Sequence, residues 1–294
     1  MAKECDSKTC DKSSCEGCAS KKNPQSMQAA MNAMSNVKHV IGIVSGKGGV
    51  GKSSVALNIG MVLAQLGKRV CLIDVDLGLR NLDVMMGLEN RIIYDLGDVM
   101  AGRCILSQAM LQDKTEKDLY LLPACKNLHI DRFQIEDLKA VTNQLIQSFD
   151  YVLLDAPAGI EKGFQACLAC AARAIIVTTL DVTSLQDADR IIGCMMQKQL
   201  VSISFVVNRY SMRSVEKGIS VSLEDAKRWL GIDFLGYVFE DELMQKANNR
   251  GLPVTLHREQ RLYACFMSIA KRMMGETVPL PRCTKHTLLS KLFG

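Results

Sequence analysis

Residues 41–54, IGIVSGKGGVGKSS, constrain this chain more than any other stretch. Gly46, four residues, and then Gly51-Lys52-Ser53 make a complete phosphate-binding loop. The apolar run 40–44 before it reads as a buried strand. After it, Val55, Ile59, Val62, Leu63 and Leu66 fall on one helical face, and Gly67 is placed to end the helix. A strand, a glycine loop and a helix in that order predict an α/β fold: a doubly wound, mostly parallel sheet with helices on both faces. The alternative is a glycine-rich strand-to-helix turn with no ligand. In the functional reading, Gly46, Gly48, Gly49, Val50 and Gly51 turn backbone N–H groups toward phosphate oxygens, because no Cβ stands in the way at the glycines. Lys52 reaches the β- and γ-phosphates, Ser53 offers a hydroxyl to Mg²⁺, and Ser54 continues the first helical turn, whose N-terminus is partly positive.

Lys47 is an extra residue. An ordinary loop of this kind needs one lysine, and a second one on an exposed turn can point toward another subunit. The string Lys47 to Ser53 resembles the deviant Walker A loop of the family that includes MinD, ParA, the nitrogenase iron protein and the Mrp-type cluster carriers. That resemblance implies ATP as substrate and an ATP-sandwich homodimer in which Lys47 crosses to the partner's phosphates.

The chain has 294 residues, 48% of them hydrophobic, enough for one large domain with short appendages. The net charge of +5 is mild, and no basic patch is interleaved with aromatics, so no nucleic acid is expected as a partner. Residues 1–36 lack the apolar core of a signal peptide, and no run approaches the roughly 18 apolar residues of a membrane span. Twelve cysteines in such a chain suggest reduced thiols in the cytoplasm.

Residues 1–37 are polar and without period, and read as an N-terminal extension. Cys5, Cys10, Cys15 and Cys18 could close a tetrahedral zinc or iron–sulfur site; a tail of free thiols is the alternative. The segment, including residues 22–27, resembles the cysteine-rich N-terminus of the cluster carriers, which implies iron–sulfur.

Within the domain expected over 38–278, Asp74 and Asp76 end a buried strand at the sheet edge where ligands of open α/β folds bind. One can polarise water and the other be structural or near the metal; capping the next turn is the alternative for either. Residues 78–81, 86–91, 94–99, 119–124, 150–161 and 187–193 resemble the MinD-type ATPases that place the bacterial division septum. There the resemblance implies that Asp76 is the water-activating residue and that the loop after it senses nucleotide. Asp155 closes the strand 151–154 and can hold Mg²⁺, and Pro157 and Gly159 form a second candidate switch.

Cys167 and Cys170 make a second C-x2-C pair, but they lie in a small-residue helical run and read as core packing. The carriers' second cysteine pair would follow the strand ending at Asn208, where this chain has none. The amide of Asn208 suits an adenine edge, with a turn asparagine as the alternative. In the resemblance to the MinD-type ATPases, Phe239 stands where they usually carry proline.

Residues 279–294 read as a linker and an amphipathic helix. Leu288, Leu289, Leu292 and Phe293 share one arc, with Lys285 and Lys291 flanking it, and Pro279 and Pro281 are expected to break the helix before. Docking on its own domain is the alternative to a membrane anchor, which is also what the resemblance implies. The expected function is that of an ATPase that dimerises on ATP and binds the inner face of the cell membrane as a peripheral protein. There it would recruit a MinC-like division inhibitor and answer to a MinE-like regulator. An iron–sulfur carrier and a ParA-like DNA segregation protein are the competing readings.

Overall fold

The structure, a computed structural model, describes residues 39–76, 80–126, 134–198, 200 and 202–282. The N-terminal cysteines Cys5, Cys10, Cys15 and Cys18, the tail residues Leu288, Leu289, Leu292 and Phe293, and Gly78 lie outside the described residues. The described strands are β1 (His39–Val44), β2 (Val70–Asp74), β3 (Leu111–Gln112), β4 (Leu119–Leu122), β5 (Tyr151–Asp155), β6 (Arg173–Thr178), β7 (Ile203–Tyr210) and β8 (Asp233–Phe239). They form one sheet in the order β3-β4-β2-β5-β1-β6-β7-β8. Every neighbouring pair is parallel except β3 with β4, which is antiparallel at the edge.

Parallel strands are covered on both faces and so carry unbroken apolar runs. In β1 every residue after His39 is buried, and in β2 and β5 all five are. From β1 the chain passes through helix Lys52–Gln65 to β2 on one side. From β5 it passes through helix Lys162–Cys170 to β6 on the other. Right-handed crossovers in opposite directions put those two helices on opposite faces of the sheet and leave a crevice at the carboxyl ends of β1 and β5.

Helix Lys52–Gln65 is buried far more completely than one apolar stripe requires: Ala56, Leu57 and Met61 are as inaccessible as Val55 and Ile59. Helix Arg261–Met273, which packs on β8, also packs against it. Helix Arg261–Met273 ends before the prolines expected to break it. Met274 caps it and Gly275 turns left-handed at φ 90°. Residues 278–281 then run back over the domain: Arg272 donates to the Val278 carbonyl, Ser268 to that of Pro279 and Tyr237 to that of Pro281.

Candidate nucleotide-binding site

The loop after β1 is held from two sides. A Cβ on Gly46 would sit 2.5 Å from the Asp187 carbonyl oxygen, so the helix Val182–Gln197 presses directly on the loop's first turn. Gly51 has φ 86°, and a Cβ there would lie 2.3 Å from the side-chain nitrogen of Asn208. That nitrogen donates to the Val50 carbonyl at 2.8 Å. Asn208, at the end of β7, therefore braces the phosphate loop in this structure, a contact the sequence does not announce. Gly51 is also the N-cap of helix Lys52–Gln65, whose first turn aims its N–H groups into the crevice.

Gly48, Gly49, Val50, Gly51, Lys52, Ser53 and Ser54 line a cavity of about 440 Å³, and Asp76 and Ala158 line it with them. The Ser45 hydroxyl oxygen in its wall is buried without a hydrogen-bond partner among the described residues. Lys52 and Asp155 form a buried ion pair at 2.6 Å. Asp74 stands beside Asp155 across the β2–β5 pairing. Its carboxylate accepts the N–H groups of Asp76, Asn81 and Leu82 at 3.0, 3.3 and 3.4 Å. Burial, then the charge of Asp155, raises its pKa to about 7 against those three donors. Asp74, the last residue of β2, is buried and ties the following loop, whereas Asp76, two residues past the strand, reaches the cavity. Gly159, at φ 88°, donates its N–H to the Ser45 carbonyl at 3.0 Å and joins the turn that follows β5 to the phosphate loop.

Lys47 lies outside that cavity wall. Half exposed, it donates to Thr183 Oγ1 at 3.1 Å and sits 3.6 Å from Asp181 Oδ1. Asp181 caps helix Val182–Gln197 by accepting from the Ser184 N–H. Partial burial opposes ionisation of Asp181. Bonds from Thr179, Thr183 and Ser184, with Lys47 nearby, outweigh it and take its pKa down to about 2.

A second cavity of about 450 Å³ adjoins the first, lined by Asn208, Phe239, Glu240 and Asp241 among others. Phe239 turns inward, where its ring meets Tyr237 at 5.1 Å and the Arg261 guanidinium at 5.1 Å. Arg261 in turn pairs with Asp241 at 2.9 Å. Phe239 is thus a wall component of this cavity, with Glu240 and Asp241 beside it.

Cys167 is wholly buried in the core and Cys170 is partly buried against it; burial raises both thiols, Cys170 to about 11. Among the described residues no group of three or more His, Cys, Asp or Glu side chains is placed to hold a metal ion. No helix among them is long and apolar enough to cross a membrane. Arg209, Asn81, Met85 and Asn248 also line the first cavity and were not singled out from sequence, because no motif marks them.

Comparison with known proteins agrees with this geometry. The family model described as ParA, NUBPL iron-transfer P-loop NTPase, matches residues 36–274. The septum site-determining protein MinD of Bacillus subtilis is 46% identical over 81% of this chain and 90% of its own. MinD in the MinC:MinD complex of Aquifex aeolicus superposes with a TM-score of 0.78 at 41% identity, covering 83% of this chain and 98% of that one. MinD of Pyrococcus horikoshii, solved with Mg-ADP, gives 0.72 at 27% identity over 80% and 96%. The chain belongs to the MinD family of ParA-type P-loop ATPases.

Proposed function

We propose that this ATPase uses nucleotide state to control dimerisation, membrane residence and recruitment of a division inhibitor. The observation that carries the catalytic part is the sharing of one cavity by Lys52, Ser53 and Asp76, with Asp155 in contact with Lys52. In this reading the loop from Gly46 to Ser54 receives the phosphates and Lys52 neutralises their charge. A hydroxyl and a carboxylate are oxygen donors that suit a hard cation, so Ser53 and Asp155 would hold Mg²⁺. Bound there, the ion would offset charge on the phosphate oxygens. The Asp76 carboxylate orients water for attack on the γ-phosphorus; the bond to the bridging oxygen breaks, and ADP and phosphate leave. Asn208 supports the loop and stands at the base cavity, where its remaining acceptor suits an adenine edge.

Lys47 needs only to leave an exposed contact with Thr183 and Asp181 to reach a partner's phosphates, a small loss for a surface pair. The Bacillus relative is named for septum placement and the Aquifex one was solved with MinC, which supports a MinC-like partner here. The apolar arc of Leu288, Leu289, Leu292 and Phe293 supports a peripheral site on the cytoplasmic face of the membrane. A MinE-like regulator would then stimulate release. Turnover in parallel with vesicle sedimentation tests the whole: ATP without ADP should bring the protein down with anionic vesicles. Turnover with no nucleotide-dependent sedimentation would overturn the membrane cycle.

A second reading is favoured by the iron-transfer description of the matching family model and by Cys5, Cys10, Cys15 and Cys18. In it the N-terminal extension holds an iron–sulfur cluster. Anaerobically purified protein should then show iron, sulfide and visible absorbance that vanish when Cys15 and Cys18 become Ser. Protein free of iron would overturn it.

A further inference from the structure

The two cavities meet at a waist. Gly51, Ser54, Arg209 and Asn248 line both, and Arg209 is the one among those four that carries a charge. Its backbone is unusual: among the described residues, Arg209 is the non-glycine residue with positive φ, at 54°. A left-handed arginine has no turn chemistry to excuse it, as an asparagine would, and such strain persists where the surroundings impose it. The consequence is visible in the strand. Alternation along β7 would send Asn208 and Arg209 to opposite faces of the sheet. Instead the pairing with β8 shifts register between Val207 and Tyr210, and Asn208 and Arg209 line the same cavity. The side chain is exposed, and among the described residues its guanidinium makes no ion pair or hydrogen bond. The strain therefore serves no internal contact of that group.

A second observation at the waist also points to a ligand. Asn248 donates its amide nitrogen to the Ser54 hydroxyl at 2.8 Å, while its Oδ1 is buried with no partner among the described residues. The waist thus offers a cation and an orphaned acceptor.

We propose that Arg209 is a positioning residue that holds the α-phosphate of the bound nucleotide, with Asn248 Oδ1 placed for a ribose hydroxyl. This rests on the ATPase reading. With the β- and γ-phosphates on the loop and the base in the second cavity, the segment between them is the α-phosphate and ribose. A guanidinium suits a phosphate's paired oxygens, and the contact is common to ATP and ADP.

The test is calorimetric titration of the full chain with ATP and with ADP, beside melting temperatures. Arg209→Gly removes the guanidinium and accepts the left-handed backbone, so its melting temperature should hold or rise. Its affinity for both nucleotides should fall together, on the order of ten-fold, as for loss of one charge-assisted bond. Arg209→Lys should recover part of that affinity through charge while keeping the strain. Unchanged affinity in Arg209→Gly would overturn the proposal, as would a loss confined to ATP, which would put the guanidinium on the γ-phosphate. A wild-type chain that binds neither nucleotide would instead overturn the ATPase reading beneath it.

Discussion

Lys52 and Asp155 hold each other in a place from which water is nearly excluded, and that gives the lysine a structural role beside the phosphate-binding role proposed for it. Removing one member of a buried pair strands the other's charge, at a cost of about 3–5 kcal/mol. Lys52→Ala should therefore abolish turnover and also lower the melting temperature without nucleotide. Lys52→Ala with Asp155→Ala should melt higher than the single variant, and additive losses would show that the pair is not coupled. Asp76 has the opposite profile. It reaches the phosphate cavity, so Asp76→Ala should bind ATP and stall before hydrolysis; normal turnover would move the water-positioning role to Asp74. Asp74 gives a pH signature. Its folded pKa, near 7, is above that of the unfolded chain, so the folded state keeps a proton that the unfolded state has lost. Stability from this group is present below the unfolded pKa and falls as pH rises toward 7. In buffer without Mg²⁺ or nucleotide, the stability of the wild type relative to Asp74→Asn should fall between pH 5 and 8. A constant difference would mean that Asp74 ionises normally.

At the scale of elements, the phosphate loop is a wedge between helix Val182–Gln197 at Gly46 and the end of β7 at Gly51. Gly51→Ala would place a methyl in a left-handed position and against the Asn208 amide, a strain on the order of 1–3 kcal/mol. It should lower the melting temperature and weaken ADP binding together. Melting unchanged from wild type would show that the loop has room to give. Much of this arrangement was legible beforehand. Strands β1, β2 and β5 are apolar runs closed by serine or aspartate, and their ends match the reading because burial on both faces leaves no other pattern. Asp74 and Asp76 take different places because the strand ends between them: Asp74 ties the loop and Asp76, beyond the strand, faces the cavity. What escaped were features made by distant segments. The full burial of helix Lys52–Gln65 depends on helix Arg261–Met273, some two hundred residues later. The bond from Asn208 to Val50 and the left-handed Arg209 have no local signal, because a non-glycine residue is held at positive φ only by its surroundings. The end of helix Arg261–Met273 was misplaced because Gly275 stops it before the prolines are reached.

For the whole molecule, the proposed cycle would make one terminal tail a poor membrane anchor, and an ATP-bound dimer would change that. Fully burying a leucine or phenylalanine contributes about 1.5–3 kcal/mol, and an interfacial helix gains roughly half of this. Leu288, Leu289, Leu292 and Phe293 together would give about 3–6 kcal/mol. Lys285 and Lys291 would each add about 1 kcal/mol near anionic lipid. Ordering the tail's backbone would cost on the order of 1 kcal/mol per residue, which offsets that gain. Two tails on the proposed ATP-bound dimer would alter the balance: with the first inserted, the second would be confined near the surface, and avidity would multiply binding by roughly 10²–10⁴. Lys47→Ala should then lose dimerisation, turnover and vesicle binding at once while a monomer still binds ATP. Leu289→Glu and Phe293→Glu should dimerise and bind nucleotide yet stay in the supernatant. Cosedimentation with anionic vesicles in ATP and in ADP separates these cases. Equal binding in both nucleotides would detach membrane residence from dimerisation, and undiminished binding by the glutamate variants would place the anchor elsewhere in the chain.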